Sequence, residues 1–174
     1  TDGWDADKGG KKVWEEEYVP LTALNLGINC DSTQHVLWRI GNGSVDGMPK
    51  LKVVVVEIGV NNKGISRHKE EDVKKGIVAV CEALKKKAPH AKILLLGVFP
   101  RYWGKDNSDK LNKNLARLDD GEQVFFLNFN EKLSETEGAI ADSVGHLTEM
   151  GYQIWADSIR ATLKKLMDPN VRLY

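Results

Sequence analysis

Short β-branched runs alternate along this chain with stretches whose apolar positions recur every three or four residues, the mark of βαβ units and a parallel sheet. The strongest run, Lys52–Ile58, holds four consecutive valines without polar alternation and predicts a strand covered on both faces. Lys92–Val98 reads the same way, and Leu21–Leu26 and Val124–Asn128 are weaker strand candidates. Between them, Asp31 or Ser32 can cap a helix over Thr33–Ile40 that Gly41 ends. Glu70–Lys87 places Val73, Ile77, Val80, Cys81 and Leu84 on one helical face and lysines and glutamates on the other. Lys110–Leu118 carries leucines at helical spacing. Thr148 can cap a last helix with Tyr152, Trp155, Ile159, Leu163 and Leu166 as its apolar stripe and Pro169 as its stop. A short helix is predicted near Lys11–Tyr18.

Composition narrows the class. The chain has 174 residues, enough for one ordinary domain with a sizeable core. Its 25 basic and 25 acidic residues cancel, which argues against non-specific nucleic-acid binding and against adhesion to an anionic membrane. No apolar run approaches the roughly 18 residues that span a bilayer. Two cysteines, Cys30 and Cys81, are too few for a disulfide scaffold or a cysteine-based zinc site, so free thiols are expected.

An open parallel sheet places its ligand site at the carboxyl ends of its strands, which directs attention to three loops. Gly59-Val60-Asn61-Asn62 follows the most apolar strand. An asparagine amide there can donate to a developing oxyanion, and the same residues also make an ordinary turn. Gly27–Thr33 joins a strand candidate to a helix start, where backbone N–H groups suit negative charge or simply serve a capped helix. Asp142–His146 offers a histidine with a carboxylate close by, a candidate general base or a polar loop. His35, His68 and His90 lack that setting: His35 falls within a helix, and His68 and His90 sit beside lysine-rich, solvated segments.

In order and spacing these segments resemble the SGNH (GDSL-type) hydrolases, in the branch of platelet-activating-factor acetylhydrolase catalytic subunits and their bacterial relatives. The resemblance rests on the stretch Leu24–Gly43 with its His-Val-Leu-Trp-Arg block at 35–39, on Gly59-Val60-Asn61-Asn62, on Leu96–Arg101, and on His146-Leu147-Thr148 followed by Gly151-Tyr152. It implies an α/β fold: a three-layer α/β/α sandwich on a flavodoxin-like parallel sheet, with residues 1–174 as a single domain. It also implies ester hydrolysis by a Ser-His-Asp mechanism. Carried over by position, His146 is the base, Asn61 is the oxyanion-binding side chain, and Cys30 stands where the family's oxyanion glycine stands.

Three departures shape the expectations. The family's first strand ends in Gly-Asp-Ser-(Ile/Leu)-Thr, and Thr1-Asp2-Gly3-Trp4 resembles the residues just after that serine. The nucleophile and its strand are therefore expected to be absent from this chain. None of its seven serines sits in a strand-to-helix elbow, and no Gly-x-Ser-x-Gly occurs. Second, a positive φ at Cys30 would be costly. Cys30 as a substitute nucleophile lacks a base beside it in sequence. Third, the residue three before His146 is Ser143, so Asp142 becomes the candidate orienting carboxylate.

Loss of an internal first strand would leave Leu21–Leu26 and Lys52–Ile58 without their shared partner. Direct pairing of the two, a strand donated by another chain, homo-oligomer formation at the gap, or a longer polypeptide would each answer that. The expected substrate is a small acyl ester, acetyl foremost, with neither metal nor organic cofactor. Trp4, Tyr102 and Trp103 are candidates for a pocket rim. The alternative is a non-catalytic relative serving as a binding or assembly subunit. Nothing in the sequence indicates a compartment.

Overall fold

The four valines form β1 (Val53–Val56) and the leucine-rich run forms β2 (Lys92–Leu96), and the two lie parallel with Val53 opposite Lys92 and Val56 opposite Leu95. The third strand, β3 (Val124–Leu127), pairs with the other edge of β2, Ile93 opposite Val124 and Leu96 opposite Leu127. The computed structural model describes residues 2–4, 9–100, 104–141, 146–168 and 170. By their contacts these fall into two units, Thr1–Asn29 with Phe129–Thr162 and Cys30–Asn128 with Leu163–Tyr174.

The second unit holds the sheet, in the order β1-β2-β3. Central β2 is buried throughout Ile93–Leu96, as a strand covered on both faces must be. Helix α2 (Thr33–Gly41), the short α3 (Val60–Gly64), α4 (Glu70–Lys87) and α5 (Lys105–Leu115) belong to this unit. Val73, Ile77, Val80, Cys81 and Leu84 of α4 join Ile40, Val56, Ile58, Ile93, Leu95 and Leu115 in one core. Acidic residues 70–72 open α4 and lysines 85–87 close it, which complements the helix dipole. Cys81 is a free thiol inside this core, and burial pushes it up to about 11, so it stays protonated at neutral pH.

Two expectations fail here. In β1, Val55 is 37% exposed and Val53 and Val54 are half-buried. Four valines in a row therefore did not mean cover on both faces. Helix α5 begins at Lys105 rather than Lys110, and Ala116–Leu118 continues it as a 3-10 turn. Its first turn is polar, so apolar spacing could not reveal it. Inside α5, Asn112 is buried and treats Val98 as a neighbouring strand would. Its Oδ1 accepts from Val98 N at 2.8 Å and its Nδ2 donates to Val98 O at 3.0 Å.

Ahead of β3, Asp120 organises the turn. Its Oδ1 accepts the backbone N–H groups of Val124 (2.8 Å), Gln123 (2.7 Å) and Glu122 (3.0 Å), and Lys85 Nζ donates to Oδ2 at 3.1 Å. Those backbone donors hold its carboxyl well below the usual carboxylate range. A depressed folded-state pKa stabilises above the unfolded value, about 3.9, and that contribution is lost as pH falls through the folded value. Asp120→Ala is expected to lower stability by about 1–2 kcal/mol at pH 7, discounted for its exposure. The gap in melting temperature from the parent should narrow only below about pH 4. A gap that stays constant from pH 7 to 3 would contradict this role.

The first unit contains α1 (Lys11–Glu17), α6 (Asn130–Glu135) and the start of α7 (Glu149–Met167). Its core is aromatic. Trp4 is buried, with ring centroids 4.3 Å from Tyr152, 5.2 Å from Tyr18, 5.6 Å from Trp155 and 5.8 Å from Trp14. Trp4 is thus a packing centre rather than a pocket rim. Arg160 clamps α7 to α1 through two bonds to Glu17, 3.0 Å and 2.6 Å. Residues Leu21–Leu26 do not form the expected strand: Val19–Leu21 is a 3-10 turn, and the chain then runs on without a ladder. Leu24, Leu26 and Ile28 lie exposed at period two. They have the alternation of a strand, yet no strand is formed here among the described residues.

Candidate active site

β1 leads through Ile58 into Gly59, whose φ is 123°, a conformation that glycine alone adopts readily. Space imposes glycine as well, because a Cβ here would lie 3.2 Å from Val73 Cγ1 and 3.2 Å from Val98 Cγ2. This bend starts α3, which presents two consecutive asparagines in different directions. Asn61 Nδ2 donates to the backbone carbonyl of Asp31 at 3.1 Å. Asn62, buried to 1% exposure, turns inward and accepts the Thr33 N–H on Oδ1 at 2.9 Å.

The structure thereby brings Asn61 against the Cys30–Asp31 turn, two segments that sequence spacing nominated separately. Cys30 has φ 64° and an exposed side chain. The left-handed conformation costs a non-glycine residue about 1–2 kcal/mol, so the turn is held by its surroundings. One holder is Arg39, whose guanidinium pairs with the Asp31 carboxylate, both side chains being largely buried. The other is the start of α2, where His35 closes a capping box by accepting the Ser32 N–H on Nδ1 at 3.0 Å. His35 Nδ1 also lies 3.9 Å from Asp31 Oδ1. This corrects the expectation that His35 has no carboxylate setting. His68 departs from expectation too: it is half-buried rather than solvated, and its Nδ1 lies 3.1 Å from Asn62 Nδ2.

His146 lies in the first unit, on a short hairpin. Ile140 and Leu147 form an antiparallel bridge, and Ala141 N donates to the His146 carbonyl at 2.7 Å. Thr148 anchors the hairpin to α7: its Oγ1 donates to Gly138 O at 2.7 Å and accepts the Gly151 N–H at 3.2 Å. His146 itself is exposed. Asp142 and Ser143, Tyr102 and Trp103, and Pro169 lie outside the described residues.

Asn62, Arg39 and Asn112 were not singled out by sequence. A polar residue destined for burial carries no local mark, because its partners come from distant segments. Arg39 had a signal as part of the 35–39 block and Asn62 as the last residue of the Gly59–Asn62 loop, but neither signal pointed to these partners.

This arrangement offers an amide donor against a strained turn, after a parallel strand, and it can be set beside known proteins. Residues 1–154 match the model of the GDSL-like lipase/acylhydrolase family. The chain belongs to that family, a family of hydrolases. It is 32% identical over 165 residues to human platelet-activating factor acetylhydrolase IB subunit alpha1, covering 90% of this chain and 70% of that protein. It is also 32% identical over 169 residues to the human alpha2 subunit, covering 90% and 71%. Among solved structures, the psychrotrophic esterase EstA of a Pseudoalteromonas species, inhibited by monoethylphosphonate, superposes with a TM-score of 0.72 at 14% identity, covering 96% of this chain and 93% of that one. A carbohydrate esterase family 3 structure from Talaromyces cellulolyticus gives 0.68 at 15% identity, covering 82% and 70%. The fold is therefore the α/β/α fold of SGNH hydrolases. No helix among the described residues is long and apolar enough to cross a membrane.

Proposed function

We propose that residues 1–174 act as one domain carrying the oxyanion-binding and base portions of an acyl-ester hydrolase of Ser-His-Asp type, specific for small acyl groups such as acetyl. The nucleophilic serine is proposed to lie outside these residues. The observation that carries the reading is the Asn61–Asp31 contact beside the left-handed Cys30 turn. Asn61 Nδ2 has two hydrogens, and the one on Asp31 O orients the amide, leaving the second for the oxyanion. The Cys30 backbone N–H is the other donor, a role in which its side chain is a bystander. His146 is the base, and Asp142 is its orienting group. The acetylhydrolase subunits that this chain resembles support acetyl as the acyl group.

Hydrolysis of p-nitrophenyl acetate, with intact mass confirmed, tests this. The 174-residue chain is expected to run at the uncatalysed background. The same chain carrying an added N-terminal segment with a Gly-Asp-Ser turn is expected to turn over. An inactive extended protein would sink the hydrolase reading in favour of a binding or assembly subunit, for which the solvent-facing Leu24, Leu26 and Ile28 offer an apolar contact.

A further inference from the structure

Helix α3 is five residues long, too short to hold its own shape, since a helix of that length lies far below the length that is even marginally stable alone. Yet it must keep Asn61 aimed at the Cys30–Asp31 turn. Something outside the helix has to fix it, and Asn62 makes the contacts to do so.

The hydrogen bonds leave its orientation in no doubt. Thr33 N–H can only donate, so the Asn62 atom it meets at 2.9 Å is the carbonyl Oδ1. Nδ2 therefore faces Thr33 Oγ1 at 2.9 Å, His68 Nδ1 at 3.1 Å and Gln34 Oε1 at 3.3 Å. The Asn62 backbone carbonyl accepts the His68 N–H at 2.8 Å. One buried amide thus ties the first turn of α2 to α3 and to the loop after it. The two Nδ2 hydrogens thus face three nearby polar atoms, on α2 and on the loop after α3. Adjacent residues of a short helix share a backbone, so the anchor on Asn62 fixes the Cα from which Asn61 projects.

We propose that Asn62 is a positioning residue of the oxyanion site: by joining Thr33 to His68 it holds the Asn61 amide on the Asp31 carbonyl and keeps the Cys30 turn and α3 in one geometry. The proposal rests on the reading of Asn61 and Cys30 as oxyanion donors, and its test does not need turnover. In the 15N-labelled 174-residue chain, solvent exchange of the Asn61 side-chain NH2 is measured by NMR, its signals assigned by their loss in Asn61→Ala. Asn62→Ala is expected to speed that exchange about tenfold, the weight of one ordinary hydrogen bond, and to move the Cys30 and Asp31 amide signals. The α5–Val98 amide signals should stay in place. Unchanged Asn61 exchange in folded Asn62→Ala would overturn the proposal.

If Asn62→Ala does not fold, His68→Ala removes one acceptor and keeps the Thr33 bonds. It is expected to speed the exchange about threefold, a fraction of one hydrogen bond, and no change would equally overturn the proposal. In the extended polypeptide, Asn62→Ala is expected to lower kcat about 10- to 100-fold with KM within twofold, as misplacement of a transition-state donor does. Matched losses in kcat and stability with Asn61 exchange unaltered would mark Asn62 as merely structural. Should the extended polypeptide prove inactive while Asn62→Ala still frees Asn61, the hydrolase reading fails and the positioning stands.

Discussion

Where an extended polypeptide with a Gly-Asp-Ser turn hydrolyses p-nitrophenyl acetate as proposed, His146→Ala is expected to lower its kcat by about 10²–10⁴-fold, the usual contribution of a positioned general base. Asn61→Ala is expected to lower it by about 10²–10³-fold, the loss recorded for removal of one oxyanion donor. In both variants KM should change little, because a base and an oxyanion donor act on charge that develops only in the transition state. The double variant should fall short of the product of the two losses, since both groups are proposed to serve the same step. The structural basis differs between them. Asn61 is oriented by Asp31 O on a helix that begins at the Gly59 bend, and Arg39 holds the Asp31 carboxylate of the facing turn. His146 sits on a hairpin whose closure is made by Ala141 and Thr148. Activity that survives His146→Ala at parental kcat would remove it from the mechanism. A large rise in KM with unchanged kcat in Asn61→Ala would recast that residue as a substrate-binding group.

The elements that sequence foretold well are those whose signal is local. Helix α4 spans Glu70–Lys87 in both readings, because its apolar stripe, its acidic start and its basic end all lie within its own eighteen residues. β2 was equally legible as a short run of leucines. Leu21–Leu26 misled for the opposite reason: alternation is a property of the segment, whereas a strand needs a ladder with another strand, and no ladder forms there among the described residues. β1 shows the same limit at Val55. In the site, Asn61 was legible from its place after an apolar strand, and the strain at Cys30 was foreseeable as a question that φ 64° then answered. What joins them was not legible. The Asp31–Arg39 pair, the His35 cap and the buried Asn62 are choices of tertiary partner, made across eight, three and twenty-nine residues.

Gly76 shows how closely the fold of α4 is coupled to that site. In an open helix, replacing glycine by alanine gains about 1 kcal/mol from propensity alone. Here Gly76 sits where α4 crosses the start of α2, and a Cβ on it would lie 2.4 Å from Thr33 Oγ1 and 2.8 Å from Thr33 Cβ. Thr33 cannot swing aside freely, because it is buried, β-branched and bonded through both N–H and Oγ1 to Asn62. Overpacking of this kind costs typically about 1–3 kcal/mol. Gly76→Ala is therefore expected to lower stability despite its better propensity, reducing the melting temperature by about 2–8 °C for a chain of this length. Thr33→Ala removes the nearest clash and should rescue part of the loss, so the two substitutions should be non-additive by about 0.5–2 kcal/mol in the favourable direction. The displaced Thr33 should also loosen its hold on Asn62, so Gly76→Ala should speed Asn61 side-chain exchange without touching that residue. A melting temperature at or above that of the parent protein would show that α2 and α4 can part at no cost, and the close approach at Gly76 would then have no role in holding the turn.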